Sequence, residues 1–171
     1  MGIGSNAAIV SIGAVRFDKE VIETFYQTIS LESCASIGMD IDANAVVWWL
    51  KQACRPRLEI ALADSEIRET LWNLSNWMIK DFPGGPSEVW GNGSDFDNVI
   101  LENAFDRIGV EAPWKFYNNR CFRTMKNQFP VEPPAREGDL HNALDDAIHQ
   151  AKHLIEIEHI YGIRNYTKES E

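Results

Sequence analysis

The chain has 171 residues, 44% of them hydrophobic and 25% charged, with 26 acids against 16 bases and a formal net charge of −10. These values suit one soluble globular domain and exclude wholesale disorder, which needs low hydrophobicity together with high net charge. The acidic balance argues against a broad cationic footprint on nucleic acid, but not against a nucleic-acid enzyme whose acids hold divalent cations. Cys34, Cys54 and Cys121 are scattered without CxxC spacing. That pattern excludes a disulfide framework or a thiolate zinc site and points to a reducing cytoplasm. The longest apolar runs, such as Ala43 to Leu50, are too short to cross a bilayer, and no signal peptide is read at the N-terminus.

Ala7 to Phe17 is β-branched and almost continuously apolar, as a buried strand is. Asp18 to Glu20 reads as a turn and Val21 to Ile29 as a second strand, giving an antiparallel hairpin. Ser30 to Asp42 reads as a loop. Asp42 or Asn44 is placed to cap a short helix carrying Val46 to Leu50. Ile67, Leu71, Leu74, Trp77 and Met78 recur at helical spacing behind a Ser65 cap, and Pro83 to Pro86 ends that helix. Glu88 to Gly91 is a short strand, and Asp95 to Ile108 a helix with Phe96, Val99, Ile100, Ala104 and Ile108 inward. Arg120 to Gln128 reads as a strand end followed by a short helix. A last helix spans about Asn142 to Tyr161, with a frayed polar tail over 165–171. No repeat or linker divides the chain, so residues 1–171 form a single α/β domain.

Two stretches carry titratable groups where chemistry is expected. Trp90-Gly-Asn-Gly-Ser-Asp-Phe-Asp runs from a strand through a glycine-rich turn into a helix, leaving Asp95 and Asp97 at a sheet edge, where open α/β sheets bind ligands. Asp95 serving only as a helix cap stays open. Gly138-Asp-Leu-His-Asn-Ala-Leu-Asp-Asp-Ala places His141 five residues before Asp146. On an ideal helix those positions lie about 140° apart, but a helix starting at Asn142 leaves His141 outside it and free to lean toward Asp146. Asp145 then falls on the third helical position, as in a capping box. Carboxylates meeting at one edge suit a hard cation such as Mg²⁺, and a histidine beside them suits a general base. A pair of cations about 4 Å apart would stabilise both oxygens of a phosphodiester exchange.

Gly93-Ser-Asp-Phe-Asp97 resembles the second motif of the DEDDh 3′–5′ exonucleases, and His141-Asn-Ala-Leu-Asp-Asp146-Ala their third, His-x-Ala-x-x-Asp-Ala. The chain is most similar to the bacterial and phage 3′–5′ exoribonuclease-like family related to RNase T. That likeness also takes in Asn6 to Val15, Val47 to Gln52, Val89 to Gly93 and Arg120 to Lys126. It implies an RNase H-like mixed sheet flanked by helices, Asp97 and Asp146 as metal ligands, and His141 as the base that deprotonates the attacking water. It also implies two Mg²⁺ or Mn²⁺ ions and single-stranded RNA or DNA 3′ ends as substrate, with RNA favoured. Relatives of this kind are often homodimers, and the aromatic stretch Trp114 to Tyr117 is a candidate interface.

The family's first motif, Asp-x-Glu-Thr, is expected just before Met1. Asp18-Lys19-Glu20 has the right letters in a hairpin turn, the wrong place. The expectation is a start placed at an internal Met, or else a truncated gene, leaving two of four acids and the first strand outside the given sequence. Trp48 and Trp49 are candidates for core packing or for stacking on a base, and Arg120, Arg123 and Lys126 form the basic cluster ahead of the third motif. Trp49 and Arg123 are the candidate substrate contacts. The rival reading is a degenerate nuclease fold without activity, acting as a nucleic-acid or protein binding module.

Overall fold

A computed structural model describes residues 1–52, 54–81, 85–93 and 95–163. Strand β1 (Ser11–Phe17) and strand β2 (Val21–Thr28) pair antiparallel, from Ser11 opposite Thr28 to Val15 opposite Thr24, with an irregularity at Arg16 and Phe17. The strand is shorter than the apolar run that predicts it. Ala7 and Ala8 instead pair with the Asp40 segment, where Ala8 N donates to Asp40 O at 2.8 Å and Asp40 N to Asn6 O at 2.8 Å.

The expected loop after the hairpin contains a helix, α1 (Leu31–Ser36), whose N-terminus is capped by Ser30. Helix α2 (Ala43–Leu50) is capped by Asp42, whose carboxylate accepts from Ala45 N at 2.9 Å. Helix α3 (Cys54–Ala61), not expected from the sequence, follows and packs on α2. Helix α4 (Ile67–Ile79) buries Ile67, Leu71 and Leu74, each fully buried aliphatic contributing about 1.5–3 kcal/mol. Ser65 does not cap it. Its backbone carbonyl accepts from Ser30 N, and the hydroxyl of Ser33 on α1 accepts from Ile67 N at 3.0 Å. A side chain from another helix does the capping, which local sequence cannot reveal.

Strand β3 (Val89–Gly91) pairs parallel with β4 (Asn119–Cys121). Helix α5 (Asp97–Arg107) starts two residues later than expected, and Phe96, expected inward, is 39% exposed because it precedes the first turn. A 3₁₀ turn (Phe116–Asn118) leads into β4, α6 (Phe122–Gln128) follows it, and α7 (Ala143–Tyr161) closes the fold behind an Asn142 cap. The helix stop expected at Pro83 and Gly84 and the tail at 165–171 lie outside the described residues.

This is a mixed α/β arrangement. Among the described residues the strands form two separate pairs, one antiparallel and one parallel, rather than the single mixed sheet expected. The larger core joins Ala8, Ile12, Ile29, Leu71, Leu74, Phe105 and Trp114. A smaller one joins Phe122, Leu154 and Ile157, with Phe17 of β1 and Trp90 of β3 packed against it. Trp114 is thus buried and cannot serve an interface, whereas Phe116 and Tyr117 are exposed. No helix among the described residues is long and apolar enough to cross a membrane.

Candidate active site

Helix α7 lies across the hairpin, and Gly13 of β1 makes that approach possible: a Cβ there would overlap the backbone of Ala143 and Leu144. The start of α7 is bound tightly. Asn142 Oδ1 accepts from Leu144 N at 3.0 Å and Asp145 N at 3.1 Å. Asp145 does not close the reciprocal bond of a capping box. Its carboxylate accepts from Asp139 N at 2.8 Å and cinches the preceding loop. Gly138 turns that loop at φ 77°, and a Cβ there would overlap the Asp145 carboxylate.

His141 is the one described residue other than glycine with positive φ, 68°. Such a backbone costs about 1–3 kcal/mol and persists only where its surroundings hold it. Its ring sits edge-on to Trp48, with centroids 5.0 Å apart, and near Trp49 at 6.4 Å. His141 therefore leans on α2. With Ser11, Thr28, Trp49, Glu59 and Ile60 it lines a narrow recess. The recess shares Thr28 and Glu59 with a shallow, open and mostly apolar surface depression walled by Cys54, Leu58 and Leu62. Glu59 Oε2 accepts from the Tyr26 hydroxyl at 2.8 Å and from Asn142 Nδ2 at 3.3 Å. Burial and this carboxylate push the Tyr26 phenol up to about 12.

Asp146 lies in the first turn of α7, its carboxylate paired with the guanidinium of Arg136. One turn on, burial and then the nearby Arg136 charge hold His149 below the ordinary histidine range. Asp97 opens α5, where its carboxylate accepts from Asn92 N at 2.7 Å. Arg123 of α6 donates to Asn92 O at 2.8 Å, so Asp97 and Arg123 grip the two ends of one residue. A polar network stiffens the start of β3: Asn98 donates to Val89 O and Asn119 Oδ1, and Trp114 to Asn119 Oδ1 and Glu102. Asp95 is exposed and gives α5 no side-chain cap.

Arg120 pairs with Glu88 and donates to two backbone carbonyls, and Lys126 lies over the Phe122 ring, so both have structural work. Cys121 does more than pack, since its sulfur accepts from Thr124 N at the start of α6.

The structure thus brings His141 together with Trp49, and Asp97 with Arg123. Glu59 is the residue that sequence reasoning missed; the thin signal for its helix was Leu58, Ala61 and Leu62 at i, i+3 and i+4. The donor set does not fit a divalent-cation centre as it stands. One carboxylate is neutralised by Arg136, the other is engaged by an amide, and among the described residues no three His, Cys, Asp or Glu side chains assemble to hold a metal.

No curated protein and no solved structure matches the chain. A family model does: the 3′–5′ exoribonuclease Rv2179c-like domain matches residues 1–158, nearly the whole length, and the chain belongs to that family.

Proposed function

We propose that this domain removes nucleotides from the 3′ ends of single-stranded RNA in the cytoplasm, preferring RNA to DNA, and does so with Mg²⁺ or Mn²⁺. Family membership supports a 3′–5′ exonuclease. The observation that carries the reading at the site is the constrained His141 imidazole, facing the indoles of α2 beside an open depression. An imidazole held there is placed to accept the proton of an attacking water. Trp48, 45% exposed, offers a face to the terminal base, with Trp49 behind it, and Arg123 offers a cation to phosphate. A divalent cation, when bound, would neutralise the phosphodiester and lower the pKa of water. Asp97 and Asp146 are the proposed carboxylates for it, in a DEDDh-type arrangement. Among the described residues the side chains do not assemble that centre.

The test is an RNA oligonucleotide carrying label at either end, incubated with Mg²⁺, Mn²⁺ or EDTA. Stepwise shortening from the 3′ end, lost in EDTA and in His141→Ala, is expected. A ladder that persists in His141→Ala and Asp146→Asn would remove these residues from the reaction. Binding of RNA without hydrolysis would leave a binding module.

A further inference from the structure

We propose that Glu59, with Tyr26 and Asn142, is a positioning unit that holds the imidazole of His141 in its working orientation. It deepens the function proposed above and rests on His141 as the proton acceptor.

Three elements meet at one carboxylate oxygen. Tyr26 comes from β2, Glu59 from α3 and Asn142 from the start of α7. The Tyr26 hydroxyl donates to Glu59 Oε2 at 2.8 Å, and Asn142 Nδ2 donates both to Glu59 Oε2 and to the Tyr26 oxygen, each at 3.3 Å. The three groups close a triangle in which every donor has an acceptor. Asn142 is 7% exposed, and its other amide atom already caps α7. Both halves of that amide are therefore committed, which leaves the residue no freedom to rotate.

The residue so fixed is the one that follows His141. A left-handed backbone at a residue with a Cβ relaxes unless its neighbours over-determine it, and Asn142 is the neighbour. Helix α3 also packs on α2, which carries the indoles that the imidazole meets edge-on. Glu59 thus ties the wall bearing Trp48 and Trp49 to the segment bearing His141. The raised Tyr26 pKa means that the phenol keeps its proton, and so remains a donor, throughout the working pH range. A glutamine at 59 offers the same carbonyl oxygen to both donors; an alanine offers nothing.

The experiment follows the imidazole directly. Trp48 at 5.0 Å should shift the His141 ring protons by its ring current, and His141→Gln identifies their cross-peak in a ¹H–¹³C spectrum of the full chain. Glu59→Gln is expected to leave that peak in place. Glu59→Ala is expected to move it to the position of a free imidazole, with the helical circular dichroism retained. On RNA, Glu59→Ala should lower kcat at least tenfold with KM changed less than threefold. Tyr26→Phe, which keeps the Asn142 to Glu59 bond, should move the peak part of the way; it decides the matter if Glu59→Ala does not fold. An unshifted His141 peak in the parent chain, or a peak unmoved in both Glu59→Ala and Tyr26→Phe, overturns the proposal. The spectrum needs no turnover. Loss of the nuclease reading with the peak behaving as described leaves the positioning unit standing, and the reverse result separates the two equally well.

Discussion

The guanidinium of Arg136 donates to the carboxylate of Asp146 in the first turn of α7, and one side-chain pair thereby joins the proline-rich loop to the candidate catalytic helix. Both partners are about one-third exposed, so the pair adds at most about 1 kcal/mol to stability. Its consequence is for charge: the arginine holds the place at Asp146 that a cation would take. Arg136→Ala should change the thermal midpoint little and tighten Mn²⁺ binding severalfold, read from the free-ion signal in electron paramagnetic resonance. Asp146→Asn added to that variant should reverse the gain. Equal Mn²⁺ affinity in the parent and in Arg136→Ala would mean that Asp146 is not a ligand.

Gly13 is where α7 meets β1, and the atoms a side chain would strike are the backbone of Ala143 and Leu144, which cannot rotate away. Gly13→Ala should cost about 1–3 kcal/mol in urea unfolding, the usual range for overpacking. It should also displace the His141 segment three residues upstream of Leu144. A Cβ on Gly4 would meet nothing within 4 Å, so Gly4→Ala should stay within about 0.5 kcal/mol of the parent.

The parts of the fold legible in the sequence are those whose signals are local. The hairpin, β3, the β4 to α6 junction and the Asn142 cap each follow from periodicity or from one capping side chain. Helices α1 and α3 escaped because they are short and weakly patterned, and α3 carries a proline near its start, where its missing N–H costs nothing. The start of α4 escaped because Ser33 reaches it across 34 residues. At the site, the motif spacing pointed to His141, Asp97 and Asp146. The lean of His141 onto Trp48, and the convergence of Tyr26 and Glu59 on Asn142, depend on tertiary contacts between distant segments, which no local pattern encodes.

Trp48 presents a half-exposed indole braced by Trp49 at 5.1 Å, a preorganised face that is not part of either core cluster. A stacked base is worth about 1–3 kcal/mol, so Trp48→Ala should weaken binding of a short single-stranded RNA by about 5- to 150-fold in fluorescence anisotropy. Trp48→Phe should recover most of the loss, since a phenyl ring still stacks. Loss of affinity for double-stranded RNA to the same extent would argue that the indole contacts something other than an unpaired base.

Tyr26 gives the fold a defined alkaline limit. Its pKa is raised from 10.0 to about 12, first by burial and then by the Glu59 hydrogen bond and charge. Between those values the unfolded phenol loses its proton while the folded one keeps it, so the folded state binds more protons and stability falls as pH rises. The contribution is complete below pH 10 and lost as the pH passes through about 12. Urea midpoints of the parent chain and Tyr26→Phe should therefore run parallel up to about pH 10 and converge above it, with one tyrosinate appearing late in the ultraviolet absorbance. Curves that stay parallel to about pH 12 would show a phenol titrating as freely as in the unfolded chain, which the Asn142 to Tyr26 to Glu59 hydrogen bonds do not permit.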